Sequence, residues 1–466
     1  MERNVDSDHE QKSEDRIDGK TTVYCRTKLL DSRGTPDSVW SFLVLLAGFV
    51  SVSIVNGCLY SFGVLLPELM DEFQETRART ATVGSMGTCV GYALSPVTSL
   101  SSERFGFRVT SLVFTSLLTV ALAVSSITPS LALLYFSYGI VAGTGYSVIH
   151  IISVVVVMKH FVKWRSLSSG IIQSSFGVGM LFVSQTTQKL IDWYGWRWAM
   201  GGWAVLAFLL LLCGTVFDGR ENSNLTKKKW DGKEMYRVEV NDVPTKISVL
   251  KNWSLLLYCF SFALCNMVFY VPIVYMVKFS EKHLSISRDH SAQLYIYFSV
   301  VVIFSRNIYC TIGSLSFVNR FYLYQFSAAF AGLSVLLLPF SSSYIHLILF
   351  MSCLGLLDGG IWGLAPLLVI DVAGIENLNF SWGVFNSVVS VASVSGPPLA
   401  GFIADKCDSY DPAFYASGVT LIVASLLMFL RKWAQRHNPQ NCRQTLVSSE
   451  KDYDEVLKIY ERETVL

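Results

Sequence analysis

Charge is what this 466-residue chain has least of: Asp, Glu, Lys and Arg make up 15% of it, against about 25% in soluble globular domains. With 52% hydrophobic residues, that deficit excludes a soluble globular protein and leaves a polytopic membrane one. A net charge of +2, with the basic residues scattered over short segments between apolar runs, offers nucleic acid no surface. No secretory leader opens the sequence, because residues 1–39 are polar and charged and the first apolar run is already long enough to span. There is no Cys-x-x-Cys pair. Of ten cysteines, Cys58, Cys89, Cys213, Cys259, Cys265, Cys310 and Cys353 fall inside apolar runs, which argues against disulfides and zinc and for small packing residues. Motifs for a nucleophile with its base, for metal ligands or for a phosphate loop are missing, so no enzyme activity, cofactor or metal is expected.

What the chain does have is apolar runs of spanning length, ~20 residues or more. Six lie near Trp40–Leu66, Thr80–Leu100, Val109–Thr128, Leu131–Met158, Leu167–Thr187 and Trp196–Phe217. After a polar break with Lys227, Lys228 and Lys229, six more lie near Trp253–Val277, Leu294–Leu315, Tyr322–Phe340, Ile345–Ile370, Phe380–Ala404 and Ala413–Leu430. This pattern predicts an all-α membrane protein with twelve transmembrane helices in two six-helix halves, 40–217 and 252–431. A central loop, 218–251, joins them; a disordered tail, 1–39, precedes and a second tail, 432–466, follows. Lys and Arg concentrate in segments that are cytosolic if both termini are, among them Arg104, Arg108, Lys159, Lys163 and Arg165. The sequon at Asn224 then escapes glycosylation. The halves echo each other: Gly170-x-x-Gln173-Ser174 resembles Gly383-x-x-Asn386-Ser387, and Gly139-x-x-x-Gly143 resembles Gly355-x-x-x-Gly359 at nearly the same offset. Such an echo points to a duplication, with the glycines serving close helix packing or helix sliding.

Two formal charges stand inside spans. Arg306 is near the middle of Leu294–Leu315, and Asp358 lies at a similar depth in Leu347–Val369. An arginine at mid-bilayer costs from ~3 to over 10 kcal/mol, so it must face a partner or a wet cavity. The two would either pair to set helix register or receive a solute, Arg306 holding a carboxylate in a bidentate fork and Asp358 an ammonium or guanidinium. Trp362, one turn beyond Asp358, is placed to stack on an apolar or cationic body. Tyr60, Asn56, Gln173 and Asn386 are polar side chains in spans of both halves, suited to lining one cavity or to interhelical hydrogen bonds. His150 is a candidate proton relay, or a side chain satisfying its neighbours.

Several longer motifs fall together. Pro36-Asp37-Ser38-Val39-Trp40-Ser41-Phe42 opens the first span, Phe161-Val162-Lys163-Trp164-Arg165-Ser166-Leu167 opens the fifth, and Tyr194-Gly195-Trp196-Arg197 and Gly396-Pro397-Pro398-Leu399-Ala400-Gly401 follow. The set resembles the major facilitator superfamily and, within it, the monocarboxylate transporter family, solute carrier family 16. The resemblance implies a plasma-membrane carrier that works by alternating access. Glu103-Arg104-Phe105-Gly106-Phe107-Arg108 looks like the superfamily's cytosolic loop motif, and Lys163 and Arg165, at a cytosolic helix entrance, serve either topology alone or gating. The Pro397-Pro398 pair is expected to bend its helix.

Departures from the family bear on the solute. Tyr60 stands where proton-coupled lactate carriers have a lysine, and Val302 where they have an aspartate, while Arg306 stays. Asp358 resembles instead the tenth-helix aspartate of the branch that carries aromatic amino acids and thyroid hormones. The resemblance therefore implies facilitative, sodium-independent movement of a carboxylate-bearing solute: an aromatic amino acid, thyroid hormone, creatine or a carnitine-like molecule. The rivals are a proton-coupled lactate or pyruvate symporter, with His150 or Asp358 carrying the proton, and a non-transporting receptor or scaffold. Partners expected besides the carboxylate solute and membrane lipid are a single-span ancillary glycoprotein, as some relatives need, and a PDZ domain taking Glu463-Thr464-Val465-Leu466 as an added strand. Tyr453-Asp454-Glu455-Val456 has the pattern of a sorting signal.

Overall fold

Backbone polar groups have no water to turn to in a bilayer, so apolar runs of this length must close their hydrogen bonds internally as helices. A computed structural model describes residues 14–17, 20–25, 37–75, 77–217, 225–230, 233–239, 252–286, 288–407 and 409–431. Asn224, Tyr453 and Glu463, Thr464, Val465 and Leu466 lie outside the described residues. Among the described residues, eleven helices are long and apolar enough to cross a membrane: Val39–Phe73, Phe107–Ser126, Leu131–His160, Arg165–Tyr194, Trp196–Val216, Trp253–Leu284, Gln293–Ile312, Arg320–Phe340, Tyr344–Ala373, Leu378–Ala404 and Asp411–Leu430. The remaining crossing, second in chain order, is a broken helix, Arg77–Ala93 followed by Ser95–Phe105. It breaks at Leu94 because Pro96 begins the second piece without an amide donor, and the Ser95 hydroxyl donates to the Tyr92 carbonyl at 2.5 Å. The membrane region is thus all-α. With twelve crossings the chain enters the first span and leaves the last on one face, called here the near face.

The fourth and tenth spans are the most enclosed, 83% and 78% buried over their central windows, whereas the sixth, at 33%, lies at the rim. Each enclosed span contains a rare wider turn, π-helical at Tyr135–Ala142 and Gly359–Gly363. A Cβ at Gly143 would run into the backbone of Gly87, and one at Gly359 would come within 2.5 Å of the Ser305 carbonyl carbon. The fourth span therefore presses on the second as the tenth presses on the eighth. The other echoed pair does a different job: a Cβ at Gly170 would meet Asn307 Cα at 3.0 Å, and one at Gly383 would meet the Ser95 carbonyl oxygen at 2.9 Å, so these glycines bring the two halves together.

Hydrogen bonds join the halves from the near face to mid-depth. Asn379 donates to the Ser99 carbonyl (3.0 Å), Ser102 Oγ (3.1 Å) and Glu103 Oε1 (3.3 Å), and accepts from Ser99 Oγ at its carbonyl (2.7 Å). Arg320 pairs with Asp371 at 2.7 Å and reaches Ser166 Oγ at 3.4 Å. Within the first half, Asp37 ties the opening motif to the fifth span: its carboxylate accepts from the amides of Val162, Lys163 and Trp164 at 3.4, 3.0 and 3.3 Å. The Pro397-Pro398 pair does not interrupt its helix, which runs through Leu378–Cys407, with the Tyr275 hydroxyl donating to the Pro397 carbonyl at 2.7 Å. Outside the bundle, the strands Glu14–Ile17, Lys20–Cys25, Lys233–Glu239 and Leu225–Trp230 pair in that order as an antiparallel sheet. Parts of the segments read as a disordered tail and a loop are therefore paired.

Candidate functional site

Arg306 and Asp358 meet. Arg306 is 4% exposed and Asp358 fully buried, and Arg306 Nε donates to Asp358 Oδ2 at 2.7 Å. Asp358 is placed by the junction where Tyr344–Asp358 gives way to the π-helical turn. Arg306 NH1 points the other way, across to the first half, and donates to the Gln173 carbonyl at 2.7 Å. The guanidinium also lies over the Phe176 ring, 4.7 Å from its centroid. One side chain thus holds both halves. Asp358 Oδ1 is buried with no hydrogen-bond donor among the described residues, a costly state for a carboxylate oxygen in a low-dielectric interior.

Around the pair, Gln173 Nε2 donates to the Trp362 carbonyl at 3.0 Å, so the fifth span meets the tenth at the wider turn. The Trp362 ring stands edge-on to Phe262 at 4.9 Å. Tyr60 packs edge-on to Phe176 at 4.9 Å and its hydroxyl faces that of Tyr270. It lies in the field of both Arg306 and Asp358 and is 44% exposed. Asn56, one turn before Tyr60, makes no side-chain hydrogen bond among the described residues. His150 also lies in the field of Arg306. Asn386 is set apart: its amide donates to the Trp382 carbonyl of its own helix at 2.7 Å.

Sequence reading missed Phe176, Tyr270 and Tyr92. Phe176 follows Gln173 by three residues, the spacing of one helix face, and Tyr270 precedes Pro272 at a helix break; both signals were legible. The loop charges divide. Glu103 reaches the other half through Asn379. Arg104 lies over the ring of Phe105 at 5.5 Å and Lys163 over that of Trp164 at 5.9 Å, each its own neighbour in sequence. Arg108 is exposed, and Arg165 Nε caps the preceding helix at the carbonyls of Phe161 (2.9 Å) and Met158 (3.2 Å).

A cation and an anion buried side by side at mid-depth, bridging two helical halves, is an arrangement suited to binding a charged solute and to responding when it binds. Comparisons with known proteins agree with this geometry. The Major Facilitator Superfamily matches residues 42–317 and 310–450. Curated relatives include Monocarboxylate transporter 9 of Gallus gallus, 24% identical over 85% of this chain and 94% of the relative. Monocarboxylate transporter 12 of Xenopus laevis is 25% identical over 87% and 92%, and Monocarboxylate transporter 10 of Homo sapiens is 25% identical over 84% and 78%. Among solved structures, the human organic anion transporter MFSD10 (TETRAN) superposes with a TM-score of 0.66 at 13% identity, covering 83% of this chain and 99% of that one.

Proposed function

This chain belongs to the Major Facilitator Superfamily and is a membrane transporter, and we propose that it carries a carboxylate-bearing organic solute that also bears a positive pole. The Arg306–Asp358 pair carries this reading. Together the two are neutral, so a simple monoanion bound there leaves one uncompensated negative charge in a low-dielectric site. A zwitterion does not. Its carboxylate takes Arg306 in competition with the Gln173 carbonyl, and its ammonium or guanidinium supplies the donor that Asp358 Oδ1 lacks. An aromatic amino acid, creatine or a thyroid hormone meets this requirement; a carnitine-like solute balances the charge through its quaternary ammonium but has no N–H to donate, and Trp362 and Phe176 offer rings to the body of either kind.

The same balance argues for facilitative, sodium-independent transport by alternating access about the mid-depth site. It takes place in the plasma membrane with the near face cytosolic, as the distribution of Lys and Arg favours. The names of the monocarboxylate transporter relatives support the carboxylate. Uptake of a labelled panel of lactate, tyrosine, creatine, carnitine and thyroid hormone, at outside pH 6 and 7.5, tests the reading. Zwitterion uptake that changes little with pH and disappears in Arg306→Ala at normal surface expression is the expected result. Acid-driven lactate uptake overturns it in favour of proton symport, and solute binding without flux in reconstituted vesicles overturns it in favour of a receptor.

A further inference from the structure

We propose that Tyr92 and His150 form a second subsite, separate from the Arg306–Asp358 pair, that hydrogen-bonds an uncharged hydroxyl on the solute. The inference rests on the reading of Arg306 as the carboxylate site and goes beyond it by assigning the solute's other end. His150, in the most enclosed span, is 7% exposed. Its Nδ1 is buried without a hydrogen-bond partner, and the Tyr92 ring stands edge-on to the imidazole with centroids 5.6 Å apart. The Tyr92 hydroxyl also makes no hydrogen bond among the described residues. Buried polar groups normally find partners, so the unsatisfied His150 nitrogen, with the half-buried Tyr92 ring against it, marks a place where a ligand completes the bonding; Tyr92 lies in the field of Tyr60 and His150 in that of Arg306.

The surroundings hold these groups in position. Leu94 interrupts the second span two residues after Tyr92. Ser95 Oγ fastens the break to the Tyr92 carbonyl at 2.5 Å and lies 3.3 Å from Ser147 Oγ, which is three residues before His150 and so on the same helix face. From across the interface Ser387 Oγ donates to the Ala93 carbonyl at 3.0 Å. The two groups themselves are a phenol and an imidazole, with neither a carboxylate nor an ammonium between them. A phenol that donates beside an imidazole nitrogen that accepts is the complement of a hydroxyl, which does both.

The test uses solute pairs that differ by one hydroxyl: tyrosine and phenylalanine, carnitine and 4-trimethylammoniobutanoate, lactate and propionate. Vmax/KM for uptake is measured in cells expressing the full chain, normalised to surface protein. The wild type should favour the hydroxylated member of at least one pair by about tenfold, the discrimination one hydrogen bond supplies. Tyr92→Phe keeps the ring against His150 and removes only the hydroxyl; it and His150→Phe should each bring that ratio towards one. A ratio of one for every pair in the wild type overturns the subsite, as does a ratio unchanged in both variants. Loss of acid-driven uptake in His150→Gln with the ratio intact also overturns it, in favour of proton relay. Arg306→Ala serves as the separate arm: uptake surviving there defeats the carboxylate reading, while the hydroxyl ratio still reports on Tyr92 and His150. If no carboxylate enters, both fall.

Discussion

Arg306 points its donors two ways, to Asp358 in its own half and to the Gln173 carbonyl in the other. Removing one partner of a buried pair is costlier than removing both. Asp358→Asn should therefore lower stability by about 3–5 kcal/mol, seen as a lower melting temperature of the detergent-purified carrier, and should abolish uptake. Replacing both by leucine should recover most of that stability and none of the uptake; transport by the double variant would show the pair to be structural. Arg306→Lys should cut uptake by at least about tenfold, since an ammonium cannot serve two acceptors through one planar fork. These two residues were legible in sequence because a formal charge in a span is costly wherever it points. What Arg306 touches in the other half was not, since the Gln173 acceptor is a backbone carbonyl that any residue type would provide. An amide in a span such as Asn386 signals a need for a partner without saying which, and here its own helix supplies one.

At the level of elements, the wider turns in the fourth and tenth spans lie beside close helix approaches, at Gly143 and at Gly359. Gly359→Ala puts a methyl group against the Ser305 backbone and should cost about 1–3 kcal/mol through overpacking. Gly63→Ala, whose Cβ would meet nothing within 4 Å, should change stability by less than about 0.5 kcal/mol. Thermal unfolding of the two variants side by side measures the difference. The length and apolar character of the spans carried their number into the sequence, and the repeated glycines carried the duplication. The break at Leu94 was hidden, although Pro96 signalled it, because serine and threonine give the segment a continuous, weakly polar look. Nor did the sequence show that Asp37 caps amides at 162–164, a contact between motifs far apart in the chain.

For the molecule as a whole, the halves are latched at the near face through Asn379 and through Arg320, which reaches Ser166 Oγ. Cysteines at Ser102 and Asn379, whose side chains are 3.1 Å apart, should cross-link under oxidation and stop uptake, with recovery on adding a reductant. Continued transport by the oxidised double variant would place the moving interface elsewhere. The bond from Arg306 to Gln173 has a kinetic consequence as well. A carboxylate arriving at Arg306 competes with that carbonyl and so helps to part the halves, whereas a carrier returning without cargo must break the bond unaided. Exchange should then outrun net flux: unlabelled solute outside should quicken the exit of labelled solute from preloaded cells, and the quickening should saturate at the concentrations that saturate entry.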